Sequence, residues 1–203
     1  TNLLASQQAY VGESGNTSWI LTSTALVLLM TIPGLALFYG GMVRKRNVIA
    51  MVTQNFAITC LVSVLWMVVI YSLAFGTNTD EAMNQWFGGF DLTMLTAVTA
   101  ETSHAATADL PEYLWVVYQM TFAIITVALI TGAYADRMKF LPMLIFSGLW
   151  AVLVYGPVCH WVWGGGWIGG LGALDFAGGT VVHINAGVAG LVAAIILGKR
   201  KGY

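Results

Sequence analysis

Five stretches of this chain are long and apolar enough to cross a bilayer, and that limits every fold open to it. A spanning helix needs about 20 apolar residues. Such runs lie at about 18–43, 48–75, 112–135, 140–161 and 178–197. The chain is 58% hydrophobic and only 8% charged, where a soluble domain carries about 25% charged residues. The sequence therefore predicts an all-α polytopic membrane protein with five transmembrane helices, in one transmembrane domain over 1–203, with the lipid bilayer as its surroundings.

The placement of charge sets the expected orientation. All eight basic residues fall in three clusters: Arg44, Lys45 and Arg46; Arg137 and Lys139; Lys199, Arg200 and Lys201. The positive-inside rule makes these clusters cytoplasmic. Glu13, Asp80, Glu81, Asp91, Glu101, Asp109 and Glu112 then lie outside, and only Asp136 joins a basic cluster. Five spans put the N-terminus outside and the C-terminal end of the segment inside. A net charge of −1 gives no reason to expect nucleic acid. Thr1–Thr17 is polar and shows no cleavable signal, so either a signal has been removed or the first span inserts on its own.

Between the second and third spans, Gly76–Pro111 is polar, acidic and free of basic residues. A short amphipathic piece is expected near Ala82–Phe90. Pro157 is expected to break or kink the end of the fourth span. The glycine-rich loop Gly164–Gly170 must lie at the surface or be buried in protein. Cys60 and Cys159 read as buried packing thiols. There is no internal repeat, but five spans are a common size for one half of an inverted-repeat transporter.

Ionisable groups inside such a chain are the first candidates for function. Residues 172–190 hold Asp175 and His183 in an apolar, glycine-rich run. An Asp at a helix centre costs roughly 2.5–3.5 kcal/mol on insertion. Helical spacing puts Gly179, Ala186, Gly187 and Gly190 on the face of His183. Such a stripe fits either a narrow open path or a close helix contact bridged by the imidazole. Asp175 precedes the fifth span by about a turn. It can cap that helix, lend charge to a nearby cation, or do both.

Aromatic residues supply the other candidates. Tyr118 and Phe122 share a face at i and i+4, and Trp163 stands at the mouth of the fourth span. Aromatic faces attract cations, by about 2 kcal/mol or more where water is excluded. Lipid-interface anchoring competes with that role and is the expectation for Trp19, Trp86 and Trp115. His160 beside Cys159 lacks a third ligand and reads as a helix-end residue at the interface. His104 reads as a solvated loop residue. No metal site and no cofactor are expected. A hydrolase would want an activated nucleophile near His183. Only the hydroxyl of Thr180, at i−3, lies within a turn.

Four stretches carry a resemblance: Thr31-Ile-Pro-Gly-Leu-Ala-Leu-Phe-Tyr-Gly-Gly-Met-Val-Arg44, Tyr71-Ser-Leu-Ala-Phe-Gly76, His160-Trp-Val-Trp-Gly-Gly-Gly166 and Gly172–Gly190. On these the chain resembles the ammonium transporter (Amt/Mep/Rh) family, in its Amt branch. The resemblance implies passage of ammonium or ammonia across a plasma membrane, without enzymatic activity. It matches Trp163 and Phe122 to an outer recruitment site, Phe122 also to a gate below it, and Tyr118 to a vestibule aromatic. It matches Asp175 to the acid near the recruitment site and His183 to a pore histidine. It further implies a homotrimer, each protomer with its own pore, and a PII-type signalling protein docking on the cytoplasmic face. Family members have about eleven spans in two inverted halves, and this chain resembles the first. The second gate phenylalanine, the recruitment serine and the second pore histidine belong to the other half, so either the chain is incomplete, which is the expectation, or its pore needs a second copy or a partner. An ammonium sensor, with a signalling domain beyond the last span, is the alternative.

Overall fold

The computed structural model describes residues 7–9, as backbone, and 12–200. Five apolar helices dominate it: Ser14–Gly40, Lys45–Phe75, Glu112–Tyr134, Phe140–Gly170 and Gly179–Leu197. The third is the central one and packs against all four others. Its Ala123, Ile124, Val127 and Ala128 are buried, together with Thr121 and Thr126. The second helix contributes Ile58, Val62, Trp66 and Ile70, four residues apart and all fully buried. Met143, Ala151, Tyr155 and Cys159 complete the core from the fourth. The outward faces of the first and fifth helices, with residues such as Leu29, Leu37, Ile195 and Ile196, are exposed and apolar. That is what a helix facing hydrocarbon, or another apolar helix, requires.

The helices are not regular throughout. The first breaks at Ile32, whose φ of −124° and ψ of 109° are extended. The ring of Pro33 disfavours the helical conformation at the residue before it. Wide turns, in which an N–H reaches back five residues, occupy Met30–Leu35, Trp66–Ile70, Ala151–Tyr155 and Gly179–Ile184. Pro157 does not break the fourth helix, although the helix loses its regular form in the turn just before it. It sits in the first turn after the wide turn Ala151–Tyr155, and helix continues to Val162. Proline is tolerated there because the first turn after an irregularity has spare N–H positions.

At one end of the bundle lies the acidic connection. Its only turn of α-helix is Glu81–Asn84, shorter than the expected amphipathic piece, with Asp80 capping the amides of Ala82 and Met83. Thr102–His104 pairs antiparallel with Gln7–Ala9, Gln7 opposite His104, a strand pair the sequence did not announce. At the other end, Arg137 donates to the carbonyls of Gly198 and Ala133. Arg200 donates to those of Met42 and Gly132, at 3.3 and 3.0 Å. Guanidinium groups thus satisfy chain carbonyls where helices end. Cys159 is buried as expected, but Cys60 is exposed. Cys60 is on the outward side of the second helix, away from the stripe that holds Ile58 and Val62.

Candidate functional site

The start of the fifth helix is built around Asp175. Gly178 adopts a left-handed conformation with φ of 83°, which glycine alone enters without a Cβ penalty. That turn aims the first amides of the helix back at the loop. One carboxylate oxygen of Asp175 accepts from the N–H groups of Thr180 and Val181, each at 2.9 Å. Two of the orphan donors of a helix N-terminus are met by one anion, which also complements the helix dipole. The backbone carbonyl of the same residue accepts from the indole Nε1 of Trp163 at 2.8 Å. Asp175 therefore ties the start of the fifth helix to the aromatic residue at the end of the fourth.

Trp163 faces Phe122 edge-on, with ring centroids 6.0 Å apart and planes at 74°. Phe122 meets Tyr118 edge-on at 5.0 Å, and Tyr118 lies 6.4 Å from Trp115. These four rings, with Ala106, Gln119, Phe176 and Ala177, line a cleft of about 310 Å³. Tyr118, Phe122, Trp163 and Asp175 are thus brought together at the end of the bundle that carries the acidic connection. Trp115, expected as an interface anchor, is part of this aromatic wall.

The histidines fall differently. His183 lies within the wide turn Gly179–Ile184, where its own N–H bonds the carbonyl of Gly178 at 2.9 Å. Its side chain is exposed and has no hydrogen-bond partner among the described residues. The expected stripe of small residues is split. Ala186 is buried against the body of the protein, Gly190 lies against Ala133 and Gly187 faces open space. The wide turn shifts the register of the residues after it, so regular helical spacing misplaces Ala186. The open face beside His183 continues through Ile184, Val188 and Leu191, residues that regular spacing puts on the opposite side.

His104 is not solvated. It is only 7% exposed, stacks on Trp115 at 5.4 Å and 16°, and meets the edge of Phe75 at 5.3 Å. Its Nδ1 accepts from the amide of Ala106 at 3.2 Å. Burial pushes its pKa down to about 4, against a smaller upward effect of a hydrogen bond to the Phe75 backbone. Pairing of Thr102–His104 with Gln7–Ala9 holds the ring inward. His160 is fully buried rather than interfacial. Its ring nitrogens lie 2.9 Å from the Ala74 carbonyl and 2.6 Å from that of Asn84, clamping the acidic connection to the fourth helix.

Two buried polar residues of the third helix were not candidates on sequence. Glu112 is fully buried and accepts from the Tyr71 hydroxyl at 3.0 Å. Gln119 is 6% exposed, and its Oε1 has no partner among the described residues. The available signal was an amide side chain inside a membrane span, one position after Tyr118.

Five apolar helices with an aromatic cleft at one end define a polytopic membrane protein. The model of the Ammonium Transporter Family matches residues 18–203, and the chain belongs to that family. It is 51% identical over 189 residues to an ammonium transporter of Bacillus subtilis (strain 168), covering 93% of this chain and 45% of that protein. It is 43% identical over 191 residues to the ammonium transporter Amt1 of Archaeoglobus fulgidus, covering 94% and 45%. The crystal structure of Saccharomyces cerevisiae Mep2 superposes with a TM-score of 0.82 at 34% identity, over 98% of this chain and 43% of Mep2. A sensor Amt protein does so with 0.80 at 29% identity, over 91% and 44%. The chain spans less than half the length of each of these relatives.

Proposed function

We propose that this chain supplies the entrance and one wall of a pathway that moves ammonium or ammonia across the plasma membrane. The observation that carries this reading is the Phe122–Trp163 pair, edge to face at 6.0 Å on an aromatic cleft. Its indole is fixed by the Asp175 carbonyl. Ring faces in such a cleft attract a small cation without the strong hydration that an acidic pocket would retain. Phe122, lowest of the three rings on the third helix, also gates the passage below. Desolvation there disfavours the charged form of the ligand, and His183 offers ring nitrogens to the neutral molecule along an apolar path. The acidic outer connection raises the local cation concentration.

On this reading the chain is the first of two inverted halves of about eleven spans. The acidic connection is outside, the basic clusters are cytoplasmic, and His183 faces the second half. The working assembly is a homotrimer, with a PII-type signalling protein on the basic cytoplasmic face. The likeness to a sensor Amt protein favours a second reading, in which the same entrance reports ammonium instead of conducting it. Uptake of labelled methylammonium by vesicles holding the complete gene product separates the two: a sensor gives none.

Recruitment is tested at Trp163. Trp163→Leu removes the ring face and should weaken ammonium binding against potassium by about 1–2 kcal/mol, roughly 5–30-fold. Trp163→Phe keeps a ring face without the bond to Asp175 and should keep most of the selectivity. Unchanged selectivity in a folded Trp163→Leu protein would reduce the residue to an anchor.

A further inference from the structure

We propose that Trp86, Trp161 and Trp167 form a lipid-binding surface whose partner is the ester-carbonyl layer of the bilayer, on the side of the acidic connection. Only the spanning of a membrane by the five helices is required for this, whatever they conduct. The three indoles come from separate parts of the chain. Trp86 belongs to the acidic connection, Trp161 to the end of the fourth helix before Val162, and Trp167 opens the short helical turn Trp167–Gly170. Ring centroids lie 6.2 Å apart for Trp86 and Trp161, 5.9 Å for Trp86 and Trp167, and 6.1 Å for Trp161 and Trp167. Rings at that separation touch one another, so no cation fits between them as it would in an aromatic cage. Backbone carbonyls fix the group. The Trp161 Nε1–H donates to that of Trp86 at 2.6 Å, and the Trp167 amide to that of Gln85 at 3.1 Å. Trp86 is nevertheless 50% exposed and Trp167 37%. Neither of their indole N–H groups has a partner among the described residues.

Two features identify what covers this surface. The first is its place on the fourth helix. Leu141, Ile145, Leu149 and Leu153 stand four residues apart there, and each is more than half exposed. The exposed Lys139 closes this apolar stripe at one end, and the tryptophans close it at the other. From Phe140 to Trp161 a helix rises about 30 Å, the thickness of the hydrocarbon core of a bilayer. The helix is bounded as a lipid-facing span is, with a cationic stem that reaches the phosphates of one leaflet and indoles at the carbonyl layer of the other. The second feature is the pair of free indole donors. A dry contact with a further protein helix would strand them, at about 1–3 kcal/mol each, whereas ester carbonyls accept them. Because Trp86 lies in the acidic connection, lipid bound here holds that connection at the membrane surface.

The test uses the complete gene product in phosphatidylcholine vesicles whose acyl chains carry bromine either near the ester end or near the methyl end. It reads the quenching of tryptophan fluorescence. The double variant Trp86→Phe, Trp167→Phe keeps two aromatic rings in the cluster, so the emission it lacks relative to wild type is that of the two indoles. That emission should be quenched strongly by bromine near the ester and weakly by bromine near the methyl end, with little effect of aqueous iodide. If the double variant fails to accumulate, each single variant gives the same difference for its own indole. Quenching by iodide without quenching by lipid makes the cluster a solvent-facing surface and overturns the proposal. Indifference to both quenchers places protein over the indoles, from the rest of the polypeptide or a second copy, and overturns it equally. Quenching as strong from the methyl end as from the ester end removes the cluster from the interface and overturns it too.

Discussion

Replacing Asp175 separates a structural from an electrostatic role, because one carboxylate oxygen holds two amides of different burial. Val181 is fully buried, so its N–H cannot be rehydrated once the acceptor is gone. That orphan alone costs about 1–3 kcal/mol. Thr180 is half-buried, and water recovers most of its loss, leaving about 0.5–1 kcal/mol. Asp175→Ala should therefore destabilise the protein by about 2–4 kcal/mol, above the ~1 kcal/mol typical of an exposed cap. For a chain of this size that is a fall in unfolding temperature of about 4–16 °C. Asp175→Asn keeps an acceptor oxygen in place and should lose only about 1 kcal/mol, the difference between charged and neutral bonds. The assay is thermal unfolding of the purified protein, with methylammonium uptake on the same preparations. If capping is the whole role, Asn conducts nearly as wild type, and Ala conducts in proportion to its folded fraction. If the charge also acts on the cation, Asn unfolds near wild type yet loses uptake. An alanine variant that unfolds with wild type would refute the capping account, whatever its transport.

His183→Leu should abolish uptake and leave the unfolding temperature unchanged, since the ring is bonded to nothing among the described residues; wild-type uptake in the folded variant would end the pore assignment. Gly164→Ala should destabilise by about 3 kcal/mol or more, because a Cβ there would sit 1.9 Å from the Ala74 carbonyl oxygen and 2.7 Å from His160 Nδ1; a stable alanine variant would show that this turn yields. His104 is held neutral, with its pKa lowered from 6.5 to about 4 by burial. The unfolded chain therefore binds a proton first as pH falls, and stability drops between pH 6.5 and about 4. His104→Phe keeps the ring stack and should flatten that slope in unfolding temperature against pH, while an unchanged slope would place the titration elsewhere.

The parts of the fold that were legible are those the bilayer dictates. Apolar runs of spanning length needed no partner to be recognised, and Asp175 before a helix is a local signal that the structure meets with two short hydrogen bonds. Contacts between distant segments were not legible. His104 carries nothing in its own neighbourhood to say that Trp115 and Phe75 will close over it. His160 reaches Ala74 and Asn84, some eighty residues back along the chain. The charge rule assigns Glu112 only a side of the membrane, and nothing near it in the sequence announces the Tyr71 hydroxyl that meets it in the interior. Gln119 gave no periodic signal, being one of several scattered polar residues in that span, with Thr121, Thr126 and Thr131. The face of His183 was misjudged for a different reason. Spacing rules assume 3.6 residues per turn, and this turn is wider.

The wide turns have a consequence for which sequence changes each helix can absorb. A turn closed by i+5 bonds holds one residue more than its α-helical counterpart, so it works as a built-in insertion. Removing one residue from Gly179–Ile184 could be healed locally by reverting to ordinary helix. Everything after it would keep its present face, with Ala186 still packed and the apolar side chains still outward. The same deletion within the regular helix Asn185–Leu197 would instead rotate everything after it by about 100° about the axis. Loss of a single residue should therefore be tolerated better within Gly179–Ile184 than within the helix that follows it.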